Sequence, residues 1–348
     1  MAKELLLKDF VPQTKLIRKE TVVEQPRYSV IDAHNHLGGT FGENWLERPL
    51  SELLDVLNQI NVEIVVDLDG GWGEDILDRH LDHFKAAAPD RFIHFGGVNW
   101  SEWKNKGNTF GEWAAKRLEA QVARGAQGLK IWKGFGLNVR DERDDLVGVD
   151  DPRLDPLWQT AAELNMPIII HVADPVAFFD PMDSVNERVE ELSDHPDWHF
   201  PSPPYPAFMT IMDQFSRLIL RHAKTTFIGA HVGCYSENLQ WVSNLLDQAP
   251  NFYVDIGARI NELGRQPYAS RKFFLQHSDR ILFGMDLTPA VDEYRLYYRF
   301  LETDDEYFNY SHSQIPSQGR WHIYGLHLPD EVLKKIYQQN AQNILLRK

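Results

Sequence analysis

The sequence has few of the features that mark disulfide-rich or membrane proteins. Its single cysteine, Cys234, excludes an intrachain disulfide and a zinc cluster built from cysteine thiolates. No stretch approaches about 18 uninterrupted apolar residues, so no transmembrane helix is expected. The first twenty residues hold no apolar core of signal-peptide length. We therefore expect a soluble, cytoplasmic protein without a membrane partner.

Positive charge is also scarce. The 36 Lys and Arg residues stand against 51 Asp and Glu, which gives a formal net charge of -15. No run of clustered Lys and Arg offsets this balance, so a phosphate backbone would be repelled. Nucleic acid is not an expected partner, and the partner we expect is a small-molecule substrate. A homodimer is compatible with the sequence, although no residue demonstrates one.

Short apolar runs rich in β-branched residues alternate with helix-like segments along most of the chain. The eight candidate strands are Val30–Leu37, Val62–Leu68, Phe92–Val98, Gly128–Trp132, Ile168–Val172, Thr226–Val232, Phe252–Ile256 and Arg280–Asp286. Strands that alternate with helices form parallel sheets, and eight repeats favour closure into a (β/α)8 barrel, the TIM barrel. No glycine-rich phosphate loop follows the first strand, which weakens the alternative of an open dinucleotide-binding sheet.

Three segments extend beyond this strand–helix repeat. Residues 174–206 after the fifth strand and residues 301–328 after the eighth are longer than ordinary connections and rich in aromatic side chains. Loops of this length are often functional, so we predict two lid insertions. Residues 1–28 precede the first strand and are predicted to form an N-terminal arm, with one barrel domain over residues 29–348.

Histidines collect where strands of the predicted barrel end. His34 and His36 lie on the first strand, His171 on the fifth and His231 on the sixth, and Asp286 ends the eighth. Residues i and i+2 of a strand point to the same side, so His34 and His36 can face one ion. Active sites of this barrel lie at the carboxyl ends of its strands.

Three imidazoles and one carboxylate, from His34, His36, His171 and Asp286, suit one divalent metal ion. Zinc is the first choice, and manganese or iron also fit. A lone buried histidine is more often a core residue than a ligand, but the joint placement at strand ends favours a metal site. We interpret the other histidines, among them His80, as surface or lid residues.

Four segments carry a resemblance to a known family. They are IDAHNH (31–36), IIIHVAD (168–174), FIGAHVG (227–233) and ILFGMDLTP (281–289). The sequence resembles the amidohydrolase superfamily, and within it the amidohydrolase-2 branch that contains enzymes like aminocarboxymuconate-semialdehyde decarboxylase. The resemblance spans roughly residues 28–346 and includes the last helix.

The resemblance implies a mononuclear metal site held by His34, His36, His171 and Asp286. It also implies that His231 faces the substrate and need not bind the metal. Binuclear relatives use a carboxylated lysine on the fourth strand, and Lys130 and Lys133 leave that open here. We favour Lys130 as a residue that binds a substrate carboxylate or hydroxyl.

Two reactions fit this site, and the motifs cannot separate them. In the first, a hydrolase opens a lactone, ester or amide of a small polar acid with a metal-activated water. Asp286 would move the water proton, and His231 would stabilise the oxyanion. In the second, a carboxy-lyase removes carbon dioxide from an aromatic or muconate-type acid without oxidation. A non-catalytic metal barrel is the remote third interpretation.

Further residues are candidates for substrate contact. Trp72 and Trp132 lie near strand ends, and Arg259 follows the seventh strand, where an arginine can clamp a carboxylate. Asp174, three residues after His171, is a candidate to orient that ligand. Aromatic, acidic lid segments suggest a sugar-acid lactone or another carbohydrate derivative as substrate, with an aromatic acid as the alternative.

Overall fold

The computed structural model describes residues 5–6, 10–173 and 175–346. All eight predicted strands are present, and each lies within its predicted range. They are β1 (Val30–Asn35), β2 (Val62–Asp67), β3 (Phe92–His94), β4 (Leu129–Ile131), β5 (Ile168–Ile170), β6 (Phe227–Gly229), β7 (Phe252–Asp255) and β8 (Ile281–Leu282). Most predicted ranges run past the observed strands, since His36, His171, His231 and Asp286 all follow the last residue of their strand.

The strands are apolar on both faces because both faces are covered. All three residues of β5 are buried isoleucines, as expected for a parallel strand packed on two sides. Alternate residues divide between two apolar clusters: Ile31 and Ala33 join an inner cluster, whereas Val30 joins the outer cluster beneath the helices. Ile344 of the last helix closes the inner cluster.

The strands form two parallel sheets, in the orders β1-β2-β3 and β4-β5-β6-β7-β8. The sheets meet at both edges through isolated hydrogen bonds. At one edge the Lys130 N–H donates to the Gly96 carbonyl over 2.8 Å, and at the other the Ala33 N–H donates to the Phe283 carbonyl over 2.9 Å. The predicted alternation and strand order are therefore present, but the described strands do not form one uninterrupted closed sheet.

Helices and helical turns connect the strands. The α-helices and π-helical turns are Leu50–Gln59, Glu74–His80, Leu81–Lys85, Trp103–Lys106, Phe110–Arg124, Asp155–Glu163, Val189–Asp194, Phe208–Arg221, Leu239–Gln248, Ile260–Arg265, Pro267–Gln276, Val291–Glu302, Asp330–Lys334, Lys335–Gln339 and Asn340–Leu345. Two further short turns, Gly134–Leu137 and Ala230–Gly233, contain residues with non-helical backbone angles. The 3-10 turns are Trp45–Glu47, Asp69–Trp72, Trp100–Glu102, Gly107–Thr109, Pro152–Leu154, Val176–Phe178 and Pro196–Trp198. Across the described ranges, none of the helices combines the length and apolar character needed to cross a membrane.

The segments outside the repeat pack against the body of the protein. In the N-terminal segment, Thr21 donates from its backbone N–H and its hydroxyl to Asp305, and the Arg27 N–H donates to Glu302. In the segment after β5, the fully buried Arg188 pairs with carboxylates. That these segments act as an arm and as lids stays a prediction.

Candidate metal centre and active site

The carboxyl ends of four strands carry the predicted ligands and His231, the histidine predicted to face the substrate. His34 lies within β1, and His36 directly follows that strand. His171 follows β5, His231 follows β6, and Asp286 follows β8. Because the carboxyl ends of parallel strands meet at one face, the topology brings these five side chains to the same end of the sheets.

The five side chains do converge. The Asp286 Oδ1 atom lies 3.0 Å from His34 Nε2 and 3.1 Å from His36 Nε2, and its Oδ2 atom lies 3.7 Å from His231 Nε2. The His231 ring centroid is 5.0 Å from that of His34 and 4.5 Å from that of His171. The residues that the sequence places on distant strands thus lie side by side at one end of the sheets.

Two buried carboxylates set the tautomers of the first-strand histidines. His34 Nδ1 lies 2.9 Å from Asp255 Oδ2, and His36 Nδ1 lies 2.7 Å from Asp69 Oδ1. An ionised carboxylate only accepts, so each Nδ1 carries the proton and donates. The Nε2 atoms of both rings then face Asp286, which is the orientation that metal-binding histidines adopt.

Asp69 is a functional residue that the sequence analysis missed. Its Oδ2 atom accepts hydrogen bonds from the backbone N–H groups of Leu37 and Gly38 over 3.0 and 2.6 Å. These bonds hold the carboxylate in place while its other oxygen faces His36. Burial lowers the pKa of His36, but hydrogen bonds to Asp286 and Asp69 outweigh it and raise this pKa to about 9. Asp69 follows the last residue of β2 by two positions, and this place at a strand end was the one feature of the sequence that could have identified it.

The charge states of the other central groups follow from burial and neighbours. Burial alone would raise the pKa of Asp286, but the imidazoles of His34 and His231 hold it well below its usual value. Burial, with the Arg259 charge adding to it, lowers the pKa of His231 well below its ordinary value. The His231 Nδ1–H donates to the Gly257 carbonyl over 2.8 Å. At neutral pH, Asp286 is ionised and His231 is neutral with a free Nε2 lone pair.

The backbone around these residues is unusual. His231, Val232 and Asp286 have φ values of 57°, 59° and 62°, in the left-handed region that costs a non-glycine residue on the order of 1–3 kcal/mol. A Cβ at Gly257 would lie 3.1 Å from the Asp286 Cβ and 3.4 Å from His34 Nδ1, so a larger residue here would crowd the site. Such strain is typical of sites where side-chain position matters more than local stability.

These donors fit a divalent metal ion. The ligating atoms of His34, His231 and Asp286 lie within 4.8 Å of one another. Imidazole nitrogens and carboxylate oxygens are ligands that zinc, manganese and iron accept. The geometry brings His231 as close as the predicted ligands, so the assignment of His34, His36, His171 and Asp286 as the ligand set stays a prediction.

Lys130 lies inside this cluster rather than at its rim. The side chain is buried, its Nζ atom lies 3.2 Å from His34 Nε2, and it sits 4.6 Å from the centre of the Trp132 ring. Burial lowers the pKa of Lys130. Lys133 points elsewhere, with its Nζ atom 5.0 Å from the Trp198 ring. Of the two strand-four lysines, only Lys130 is placed to meet a ligand of the metal centre.

An aromatic stack leads from the surface to His36. Trp72, which is 46% exposed, stacks on Trp132 with ring centroids 3.7 Å apart. Trp132 in turn stacks on His36 at 5.2 Å, and Phe41 contacts the same imidazole at 4.8 Å. The two predicted tryptophans therefore stand together beside the candidate metal centre.

The other predicted site residues have different environments. Arg259 is buried, and its Nη1 donates to the Ala258 carbonyl over 2.7 Å. Glu262, three residues further along the chain and not among the predicted site residues, is buried against Arg188. Asp174 lies outside the described residues.

A second buried polar cluster contradicts the interpretation of His80 as a surface or lid residue. Asp67 Oδ2 lies 2.6 Å from His80 Nδ1 and 2.8 Å from His94 Nδ1, and all three side chains are buried. His80 ends the helix Glu74–His80, and its Nδ1 atom faces the carboxylate of Asp67 at the end of β2. Among the described residues, neither Nε2 atom has a hydrogen-bond partner. With a proton on each Nδ1, each Nε2 carries only a lone pair, which can stay unpartnered at a lower cost than a buried N–H group. This favours two histidines that donate to Asp67 over two histidines that bind a metal ion through Nδ1.

Comparison with known proteins places these features in a family. The family model described as Amidohydrolase matches residues 52–346. Among curated proteins, none matches the sequence significantly.

Solved structures extend the likeness to nearly the whole chain. An uncharacterized TIM-barrel protein from Bordetella bronchiseptica is 16% identical, with a TM-score of 0.54 over 91% of this chain and 98% of its own. A 2,6-dihydroxybenzoate decarboxylase from Rhizobium is 15% identical, with a TM-score of 0.57 over 92% and 99%. A dihydroxybenzoic acid decarboxylase from Polaromonas, with bound manganese and 2-nitroresorcinol, is 17% identical, with a TM-score of 0.56 over 92% and 97%. At these identities the likeness establishes an α/β TIM-barrel fold.

Proposed function

Because this chain belongs to the amidohydrolase family, we propose that it is a metal-dependent carboxy-lyase that removes carbon dioxide, without oxidation, from an aromatic or similarly planar unsaturated acid. This was the alternative of the sequence analysis, and it now has better support than hydrolysis. The proposal includes one divalent metal ion, held by His34, His36, His171 and Asp286. Zinc and manganese are the first ions to test.

The aromatic stack carries this proposal. Trp72 and Trp132 offer flat apolar faces that end on His36, beside the candidate metal centre. A planar ring can stack on such a face while its polar substituents reach the metal centre. The decarboxylases among the similar structures act on dihydroxybenzoates, as their names state, and this makes hydroxybenzoates the first class to test.

The bound metal would act as a Lewis acid that holds and polarises the acid or its neighbouring hydroxyl. In the reaction, the bond between the ring carbon and the carboxylate breaks, its electron pair stays on the carbon, and carbon dioxide leaves. The carbon then takes one proton. Neither Asp286 nor His231 carries a spare proton at neutral pH, so one of them must first take it from water or from an acidic hydroxyl of the substrate.

Hydrolysis is the second candidate, and the protonation states are the observation that favours it. An ionised Asp286 beside a neutral His231 is poised to accept the proton of an attacking water. A divalent metal held by these residues would supply the Lewis acid for this reaction, and Asp286 would take the proton of the water that adds to a lactone, ester or amide carbonyl. Lactones of sugar acids remain the first substrates to test for this reaction.

One experiment separates the two reactions. The protein is loaded with manganese or zinc and incubated with 2,6-dihydroxybenzoate, other hydroxybenzoates and muconate-type acids, and in parallel with sugar-acid lactones. We expect release of carbon dioxide from a planar acid, in amounts equal to the acid consumed. Asp286→Asn should lower the rate at least about 10³-fold, whereas the matched change at the exposed Asp279, Asp279→Asn, should not. Lactone opening without carbon dioxide release would overturn the carboxy-lyase proposal.

A further inference from the structure

A buried aspartate on β1 is bonded to the backbone of the candidate metal centre without being one of its predicted ligands. Asp32 is fully buried. Its Oδ1 atom accepts from the backbone N–H groups of His34 over 3.1 Å and of Met285 over 3.2 Å. Its Oδ2 atom accepts from the Asn35 amide over 2.7 Å and from the Tyr294 hydroxyl. Burying a carboxylate costs free energy even when its oxygens are paired, so we expect this one to have a specific role.

The N–H groups that Asp32 binds lie where the regular sheet is interrupted. The pairing of β1 with β2 shifts register between Asp32 and Asn35, in the stretch that contains His34. On the other side, β8 ends at Leu282, so Met285 lies beyond the ladder. Buried backbone N–H groups need an acceptor wherever a ladder is irregular, and the Asp32 carboxylate provides one on each side.

Through these hydrogen bonds Asp32 is connected to three of the four predicted metal ligands. It holds the backbone of His34 directly, and that of Asp286 through the preceding residue. The Asn35 amide donates to Asp32, and the oxygen of the same side chain accepts the His36 N–H over 2.9 Å. Asp286 has a left-handed φ of 62°, and strained backbone of this kind persists only where its surroundings hold it.

The carboxylate is itself held from outside the strand. Tyr294 lies on the helix Val291–Glu302 and is buried. Its hydroxyl donates to Asp32 and accepts from the Asn35 amide over 3.0 Å. Since Asn35 also donates to Asp32, the three side chains form a closed ring of hydrogen bonds. A buried network of this kind is rigid when its members satisfy one another.

We propose that Asp32, held by Tyr294, is a positioning residue of the metal centre, which sets the backbone of β1 and of the segment after β8 so that ligands from the two sheets meet at one ion. It acts through the backbone and is not itself assigned as a ligand. The inference rests on the metal centre of the proposed function but not on its reaction. It therefore predicts an effect on metal affinity, which is measured without substrate.

Metal titrations of the chelator-treated protein test this. Dissociation constants of manganese are measured by calorimetry for the wild-type protein and two variants. Asp32→Asn keeps the size of the side chain but turns one acceptor into a donor, and should raise the dissociation constant about 10- to 100-fold, the usual effect of losing a group that orients metal ligands. Tyr294→Phe removes one hydrogen bond from the carboxylate and should raise it about 3- to 10-fold.

Tyr298→Phe is the matched control. Tyr298 lies on the same helix as Tyr294, is equally buried, and donates from its hydroxyl to the Ile60 carbonyl over 2.8 Å. Both Phe variants should lower the urea midpoint by similar amounts, but Tyr298→Phe should leave the manganese affinity within about 2-fold of wild type. The visible absorption of bound cobalt(II), which reports ligand geometry, should change in Tyr294→Phe and Asp32→Asn but not in the control.

The variants give distinct outcomes. Equal manganese affinities of Tyr294→Phe and Tyr298→Phe would show that the ring of hydrogen bonds only supports the fold, and would overturn the proposal even if Asp32→Asn does not fold. So would an unchanged affinity in a folded Asp32→Asn protein. If metal affinity depends on Asp32 but no planar acid is decarboxylated, the positioning role stands and the carboxy-lyase function fails. A wild-type protein that binds no divalent ion would refute both.

Discussion

At the scale of single residues, each first-strand histidine uses one ring nitrogen for orientation and leaves the other for the metal centre. Asp255 and Asp69 accept from the Nδ1 atoms, and both carboxylates are buried. The geometry says less about the functions of the other two histidines of the site, His171 and His231. Their rings are neighbours, yet we assign one to the metal and the other to the substrate.

Alanine variants of these two residues should separate the roles. His171→Ala should lose bound metal and activity together, because one ligand of the ion is removed. His231→Ala should keep about one metal ion per chain while its turnover falls about 10²- to 10⁴-fold, the usual contribution of a proton-transfer group. Metal content is measured by elemental analysis after gel filtration. Release of metal from His231→Ala as readily as from His171→Ala would show that His231 is a ligand.

His80 should contribute to stability in a pH-dependent way. Burial lowers its pKa, but the Asp67 carboxylate outweighs this and raises it above the ordinary value. A histidine whose pKa is higher in the folded state stabilises the fold fully below its unfolded-state pKa of about 6.5. This contribution is lost as the pH rises through the folded-state pKa. His80→Gln should therefore cost about 2–3 kcal/mol at pH 6 and less at pH 9.5.

Urea unfolding of the wild-type protein and of His80→Gln at the two pH values measures this difference in unfolding free energy. Contributions from groups that titrate alike in both proteins cancel. The control is His312→Gln, a change at a histidine whose side chain is 57% exposed, which should cost less than about 0.5 kcal/mol at either pH. A cost for His80→Gln that grows as the pH rises would contradict the assignment.

These residues also mark the limit of sequence reasoning. His34, His36 and Asp286 were predictable because the strand period and the position at strand ends placed them together. Asp69, Asp67 and His80 were not, since each is a lone polar residue whose role depends on which side chain it meets. No local pattern encodes the contact between Asp67, at the end of β2, and His80, thirteen residues later.

At the scale of elements, the eight strands were predictable because each is an apolar run buried on both faces. The arrangement of the long segments was not, because it depends on single buried ion pairs. Two arginine–glutamate pairs join the segment after β5 to the helix Ile260–Arg265. Arg188–Glu262 is buried, whereas Arg265–Glu187 is partly exposed.

The two pairs should differ sharply in stability. Arg188→Gln leaves Glu191 and Glu262 without their counter-ion in a buried place, and should cost about 3–5 kcal/mol. Arg265→Gln removes an exposed pair between the same two elements and should cost less than about 1 kcal/mol. Chemical unfolding gives both values, and limited proteolysis should cut first within residues 175–206 of Arg188→Gln. Equal costs for the two variants would show that burial does not decide the strength of this junction.

At the scale of the whole molecule, the site lies where the two sheets meet. His34 and His36 belong to the three-stranded sheet, whereas His171, His231 and Asp286 follow strands of the five-stranded sheet. Direct hydrogen bonding between the sheets is sparse, and at the edge between β1 and β8 it includes the Asp286 N–H, which donates to the His34 carbonyl over 2.7 Å. An ion bound by ligands of both sheets would therefore connect them.

Metal binding should accordingly stabilise the entire fold and not only the site. An ion present at 100 times its dissociation constant adds about 2.7 kcal/mol when only the folded state binds it. For a chain of 348 residues this corresponds to an increase in Tm of roughly 4 °C. Calorimetry with and without a chelator measures the shift, which should grow with the logarithm of metal concentration. His36→Ala should abolish the dependence, because the ion loses a ligand from the three-stranded sheet. A shift of full size in that variant would mean that the ion binds elsewhere and does not join the two sheets.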